Sequence, residues 1–121
     1  MPAKEILIVD DEIITQNMLK TALANAGYAP IVARSGAEAI QLANERLPSL
    51  IILDIMLPDI DGGEVASLLK KDPKTSAIPI IFLSALVSES EEKTDAKSDV
   101  ASFLSKPFSR EKLLNEIKKN L

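Results

Sequence analysis

The 121-residue chain predicts an α/β fold, a parallel five-stranded sheet with helices on both faces, and three observations carry that prediction. Short, continuously apolar runs such as Glu5-Ile6-Leu7-Ile8-Val9 and Ser49-Leu50-Ile51-Ile52-Leu53 have the length of strands and lack the polar alternation of a half-exposed sheet, so they read as strands buried on both faces. Between these runs the apolar period lengthens to three and four residues, the signature of amphipathic helices. Strand and helix then alternate along the whole chain, which calls for right-handed crossovers and a sheet covered on both sides.

The elements follow in order. Glu5 to Val9 is the first strand and stops at Asp10-Asp11. Ile14, Met18, Leu19, Ala22, Leu23 and Ala26 predict the core stripe of a first helix, which Gly27 ends. Tyr28 to Ala33 is a second strand; Pro30 has no amide proton for a ladder, so this strand belongs at an edge. Ser35-Gly36-Ala37-Glu38 reads as a capping box, and Ala39, Ile40, Leu42, Ala43 and Leu47 carry the second helix to Pro48. The third strand ends at Asp54. Asp61 with Glu64 opens a third helix along Val65, Ala66, Leu68 and Leu69, and Asp72-Pro73 stops it. Pro79 to Ser84 is the fourth strand, with proline tolerated at its start, and Ser102 to Ser105 is a short fifth. Ser109 caps a C-terminal helix with Leu113, Leu114, Ile117 and Leu121 on one face. Residues 88–99 occupy the place of a fourth helix but carry no side chain larger than Ala96 for a core, so a short, tilted or mobile segment is expected there. An edge second strand selects the flavodoxin-like, doubly wound order 2-1-3-4-5, with strands 1 and 3 as central neighbours. Residues 1–121 read as a single domain.

Composition narrows the function. Fourteen basic against eighteen acidic residues give a net charge of −4, with no basic run longer than a pair such as Lys118-Lys119, which argues against nucleic-acid binding. Cysteine and histidine are absent, removing disulfides, thiolate or imidazole metal sites, thiol nucleophiles and an imidazole base. Met1-Pro2-Ala3-Lys4 leads into a strand without signal-peptide architecture, and no apolar run reaches spanning length, so a cytoplasmic protein without membrane insertion is expected.

Chemistry concentrates at strand ends. In the order 2-1-3-4-5, Asp10, Asp11 and Asp54 converge in the crevice beyond the carboxyl ends of the strands, where open α/β sheets place ligands. Clustered carboxylates repel one another unless a cation joins them, and a few oxygen ligands with room for water and phosphate describe a Mg²⁺ site of the phosphoryl-transfer kind. Ser84 ends the fourth strand and Lys106 follows the fifth, which places a hydroxyl and an ammonium on the same sheet edge. Each residue alone has a plain structural reading: Asp11 as a helix N-cap, Ser84 as a strand-end hydroxyl bonded to backbone, Lys106 as a solvated charge. Asp54 is harder to dismiss, because a carboxylate closing a buried apolar run needs a partner. Asp59 and Asp61 read as turn and cap residues.

Over nearly its whole length the chain resembles the receiver domain of two-component response regulators, chemotaxis regulators among them. The resemblance is carried by Asp10-Asp11, by Asp54-Ile55-Met56-Leu57-Pro58-Asp59-Ile60-Asp61-Gly62, by Ser84-Ala85 and by Lys106-Pro107-Phe108. It implies that Asp54 accepts a phosphoryl group from a phosphohistidine on a histidine kinase or histidine phosphotransfer protein. It further implies that Mg²⁺, or Mn²⁺ in its place, is held by Asp10, Asp11, Asp54 and the backbone carbonyl of Met56. Lys106 and Ser84 would contact phosphoryl oxygens, and Ser84 with Phe103 would form the switch. The Lys106-Pro107 bond is expected to be cis by the same resemblance. The domain would then be a phosphorelay switch rather than an enzyme, catalysing only its own phosphorylation and dephosphorylation. Its readout face would comprise segment 88–99, the fifth strand and the C-terminal helix, facing an unidentified output partner or supporting a phosphorylation-linked dimer.

Two departures bear on that readout: Gly63 stands where receivers commonly carry an apolar residue, and Ser98-Asp99-Val100 replaces a glycine-alanine turn. Three rival functions make demands of their own. A dehalogenase-like phosphatase would want an acid two residues after the nucleophile, where Met56 stands. A flavin or nucleotide module would want a glycine-rich loop after the first strand and more aromatic surface. A pseudo-receiver, working only as a phosphorylation-independent interaction module, would not need the acidic set that is present.

Overall fold

The computed structural model describes residues 3–55, 57, 59–84, 102–105 and 109–121. Nine elements follow in order among the described residues: β1 (Glu5–Val9), α1 (Ile13–Asn25), β2 (Ala29–Ala33), α2 (Gly36–Arg46), β3 (Leu50–Asp54), α3 (Gly62–Lys71), β4 (Ile80–Ser84), β5 (Ser102–Ser105) and α4 (Arg110–Asn120). Segment 88–99 lies outside the described residues.

The strands form one parallel sheet in the order β2-β1-β3-β4-β5, with Pro30 on the edge strand as its missing amide proton requires. Each face of the sheet carries its own apolar cluster. Leu7, Val9, Ile51, Leu53, Ile80 and Phe82 meet Ala39 and Ala43 of α2 and Val65, Ala66 and Leu69 of α3. Ile6, Ile8, Leu50, Ile52, Ile81, Leu83 and Leu104 meet Leu19, Ala22 and Leu23 of α1 and Leu113 and Ile117 of α4. Full burial of one such side chain contributes about 1.5–3 kcal/mol, so these alternating rows dominate the stability of the fold.

Several side chains expected in the core lie outside it. Ile14 is 85% exposed and Met18 is also exposed, because α1 packs through Gln16, Leu19, Ala22 and Leu23. At 3.6 residues per turn Ile14 points roughly 140° away from Leu19. Leu68 is exposed for the same rotational reason on α3, whereas Leu121 is the C-cap residue beyond α4 and is exposed there. Leu47 is not on the α2 stripe at all: it is the C-cap, in the left-handed region at φ 46°, and exposed.

The caps are mostly where the residue types place them. Ser35, Asp61 and Ser109 accept from the backbone N–H of Glu38, Gly63 and Lys112. The box at Ser35 closes one residue early: Glu38 Oε1 accepts from Arg34 N–H at 2.7 Å instead of from Ser35. Gly63 costs α3 no core contact, since Val65, Ala66 and Leu69 make the packing face and Gly63 itself is exposed.

Candidate functional site

The register of the sheet sets the site. Val9 pairs with Leu53, so Asp10 and Asp54 leave β1 and β3 at the same level. Both are buried, at 0% and 5% exposure, while Asp11 next in the chain is exposed. Asp10 is fixed from three directions. Its N–H donates to the Ala33 carbonyl at 3.1 Å, its Oδ1 accepts from Glu12 N–H at 2.8 Å, and its carbonyl accepts from the Nε2 of buried Gln16. This turn makes Glu12, not Asp11, the N-cap residue of α1. The helix-capping duty that the position of Asp11 suggests therefore does not fall on it. Asp54 closes β3, and the chain stays on the sheet for one residue more through Ile55 N–H to Leu83 O at 3.1 Å.

Carboxylate oxygens of Asp10, Asp11 and Asp54 all lie within 4.8 Å of one another. Three like charges at that separation repel, most strongly where two of them are withdrawn from water. An all-oxygen, all-anionic donor set fits a hard divalent cation such as Mg²⁺, and Asp11, turned toward solvent, leaves the outer side open for water and an incoming anion. The residues present thus fit the ion.

The strand ends place the remaining candidates. Asp54 pairs with Leu83, so Ser84 ends β4 one position beyond it; Ser84 pairs in turn with Ser105, the last residue of β5, and Lys106 follows. The backbone of Phe103 pairs with Phe82 in the middle of that ladder. Met56, Lys106 and Pro107 lie outside the described residues, so the expected carbonyl ligand, phosphoryl contact and cis bond fall there. A groove of about 430 Å³ between α1 and α4, lined by Asn17, Met18, Thr21, Ala22, Asn25 and Arg110, contains none of the three carboxylates.

The loop after Asp54 is closed at its base and tied at its tip. Gly62 N–H donates to the Ile55 carbonyl at 2.9 Å. Asp59, expected as a plain turn residue, reaches across to α2, where its Oδ1 accepts from Gly36 N–H at 2.8 Å and its Oδ2 from Ala37 N–H at 2.9 Å. These bonds, Gly36 first, hold the Asp59 carboxyl below its ordinary range. Anions at a helix N-terminus meet unsatisfied N–H groups and the positive end of the dipole. Beside this tie Gly36 packs so closely on Ile60 and Val65 that a β-carbon would overlap Ile60 Cδ1 at 2.9 Å. The sequence discloses neither this tie nor the role of Gln16, since both join residues whose pairing leaves no local pattern.

Comparison with known proteins agrees with this geometry. Residues 6–118 match the family model of the response regulator receiver domain. The chain is 34% identical over 118 residues to the polar-differentiation response regulator DivK of Brucella ovis, covering 98% of this chain and 96% of the relative. It superposes on the chemotaxis protein CheY4 of Vibrio cholerae with a TM-score of 0.89 at 30% identity, covering 98% and 99% of the two chains. The receiver domain of the sensor histidine kinase PA1611 from Pseudomonas aeruginosa gives a TM-score of 0.87 at 25% identity, covering 97% of this chain and 96% of that one. That neighbour holds a magnesium ion coordinated in its active-site cleft.

Proposed function

The chain belongs to the response regulator receiver family, and from that premise we propose that it is a phosphoacceptor switch in which Asp54 takes a phosphoryl group from a partner's phosphohistidine. The observation that carries the proposal is the meeting of Asp10, Asp11 and Asp54 within 4.8 Å at the ends of neighbouring strands. In the transfer, an oxygen of Asp54 attacks phosphorus in line, the P–N bond to the donor imidazole breaks, and an acyl phosphate forms. Asp10, Asp11, Asp54 and the Met56 carbonyl would hold Mg²⁺, which when bound supplies the positive charge that lets an anionic nucleophile meet an anionic donor. Burial of Asp54 at the end of β3 fixes the direction of attack, and Gln16 with the Glu12 N–H holds Asp10 in one orientation. Lys106 would neutralise a phosphoryl oxygen and Ser84 would donate to another.

The acyl phosphate adds about −1.5 to −2 charges at the end of β3. Ser84, drawn toward it, would vacate space that Phe103 fills, and the change would pass to the β5 and α4 side of the sheet. The domain acts on itself alone, so it serves as substrate and switch and not as an enzyme for a separate molecule. Among the described residues no helix is long and apolar enough to cross a membrane, which suits a partner met in the aqueous phase.

The test is incubation with acetyl phosphate and Mg²⁺ followed by intact mass. One phosphoryl group per chain is expected, and none in Asp54→Asn. Equal labelling of the variant overturns the assignment of Asp54. An unlabelled parent points instead to a phosphorylation-independent interaction module.

A further inference from the structure

We propose that Gln16 is a positioning residue for Asp11, acting through the peptide unit that joins Asp10 to Asp11 and so setting where the outermost carboxylate of the site stands. The inference rests on the function proposed above and adds a residue to it. Gln16 shares the core stripe of α1 with Leu19, Ala22 and Leu23 and is only 5% exposed, a costly place for an amide that lacks a partner. Its partner is the Asp10 carbonyl, which accepts from Gln16 Nε2. A carbonyl oxygen only accepts, so the nitrogen end of the side chain must face it. The Gln16 backbone is itself fixed in the first turn of α1, where its N–H donates to Glu12 O at 3.0 Å. Asp10 is wholly buried, so bulk water does not replace the glutamine donor.

The bond bears on Asp11 because a peptide unit is planar: orienting the Asp10 carbonyl also orients the N–H and Cα of the next residue. The following peptide unit is held as well, since Glu12 N–H donates to Asp10 Oδ1 at 2.8 Å. Asp11 thus carries an exposed side chain on a backbone clamped at both flanking peptide units, once by Gln16 and once by a carboxylate of the site itself. Burial confines Asp10 and Asp54, but Asp11 relies on its backbone for the position that brings its oxygen within 4.8 Å of theirs. Removing the Gln16 donor lets the peptide between Asp10 and Asp11 turn, and the Asp11 carboxylate moves with it. Mg²⁺ demands near-octahedral geometry at about 2.0–2.1 Å, whereas Ca²⁺ accepts flexible shells at about 2.3–2.6 Å, so the slack falls on Mg²⁺ first.

The experiment measures Mg²⁺ and Ca²⁺ affinity by isothermal titration calorimetry and phosphorylation by acetyl phosphate across a Mg²⁺ series. It uses the full chain as parent, Gln16→Met, Gln16→Asn and Ala22→Gly. Methionine keeps the length of the side chain without its donor, and asparagine keeps the amide one methylene short of the Asp10 carbonyl. Ala22→Gly weakens α1 through helix propensity on the same buried stripe, away from Asp10, and reports what loosening the helix alone does. Both Gln16 variants are expected to raise the Mg²⁺ dissociation constant roughly tenfold, at the low end of what outer contacts of a metal site carry. The Ca²⁺ constant should rise clearly less, and Ala22→Gly should match the parent for both ions. Labelling of the Gln16 variants should be slowed at low Mg²⁺ and recover at saturation, a split that a purely structural role would not produce. Parent-like Mg²⁺ affinity in either Gln16 variant overturns the inference alone. So do equal weakening toward the two ions, equal weakening in Ala22→Gly, and labelling that fails to recover at saturating Mg²⁺. A parent that takes up neither Mg²⁺ nor a phosphoryl group overturns the inference together with the function beneath it.

Discussion

Gly62 lies against the Asp54 carbonyl so closely that a β-carbon there would stand 2.5 Å from its oxygen and 3.2 Å from its carbon. Backbone on that side cannot move aside as a flexible side chain would. Gly62→Ala should therefore lower stability by about 1–3 kcal/mol, the usual cost of forcing atoms into a filled space. It should also slow labelling at Asp54, because the displaced atoms belong to the phosphoacceptor's own peptide. Urea unfolding together with acetyl phosphate labelling checks both; an alanine variant as stable and as reactive as the parent would contradict the close approach.

Asp11→Ala should stabilise the chain without metal by up to about 1 kcal/mol, because it takes one of three mutually repelling carboxylates away and costs no helix cap. Glu12 remains the N-cap residue of α1. In the parent, Mg²⁺ at a hundredfold excess over its dissociation constant should add about 2.7 kcal/mol, reversed by a chelator. That increment should shrink in the variant. Thermal melts with and without Mg²⁺ separate the two effects, and a less stable metal-free variant would show that repulsion among the three carboxylates is outweighed by something Asp11 holds in place.

The hydrogen bonds from Gly36 and Ala37 lower the Asp59 pKa, and the sign of its effect on stability follows. A depressed carboxyl contributes stability in full above its unfolded value, near about 3.9, and loses it as pH falls through the folded value. Unfolding free energy measured from about pH 5 downward should drop less steeply in Asp59→Asn than in the parent. Identical pH profiles would mean the carboxylate gains nothing from α2.

Leu47 holds φ 46° at the end of α2, exposed to solvent. A left-handed conformation costs a β-carbon-bearing residue about 1–2 kcal/mol, part of which glycine gives back in unfolded-state entropy. Leu47→Gly should accordingly raise stability by about 0.5–1 kcal/mol, read from the urea midpoint. A fall would show that the Leu47 side chain holds the turn into Pro48.

What is legible in the sequence divides by the range of the interaction. Strands β1 and β3 can be read because nearly every residue in them is buried for the same reason, and Asp10 and Asp54 stand out as the polar residues that end those runs. Pro30 marks an edge, and the edge selects the order. Helix faces are harder: Ile14 and Met18 fit a three- and four-residue spacing yet point outward, because a spacing has no absolute phase until the sheet supplies one. The partners of Asp59 and Gln16 are backbone groups, on α2 in the first case and at the end of β1 in the second, and a backbone amide or carbonyl looks the same at every position of a sequence. Asp11 resembles a cap in the sequence because nothing local distinguishes it from Glu12, the residue in that place.

The two apolar clusters on opposite faces of the sheet have a further consequence for how the strands find their alignment. A strand with one polar face cannot slip by a residue without turning that face inward, but β1 and β3 are apolar on both sides, and a slip would merely exchange one greasy row for another. Asp10 and Asp54 forbid it, since sliding either strand toward its amino end would carry a carboxylate from the strand end deeper into the sheet, among apolar side chains that cannot pair with it. The charges that chemistry requires at the mouth of the sheet are also its end-stops. Exchanging both aspartates for leucines would thus leave a chain that is still apolar enough to collapse but no longer told where each strand should halt.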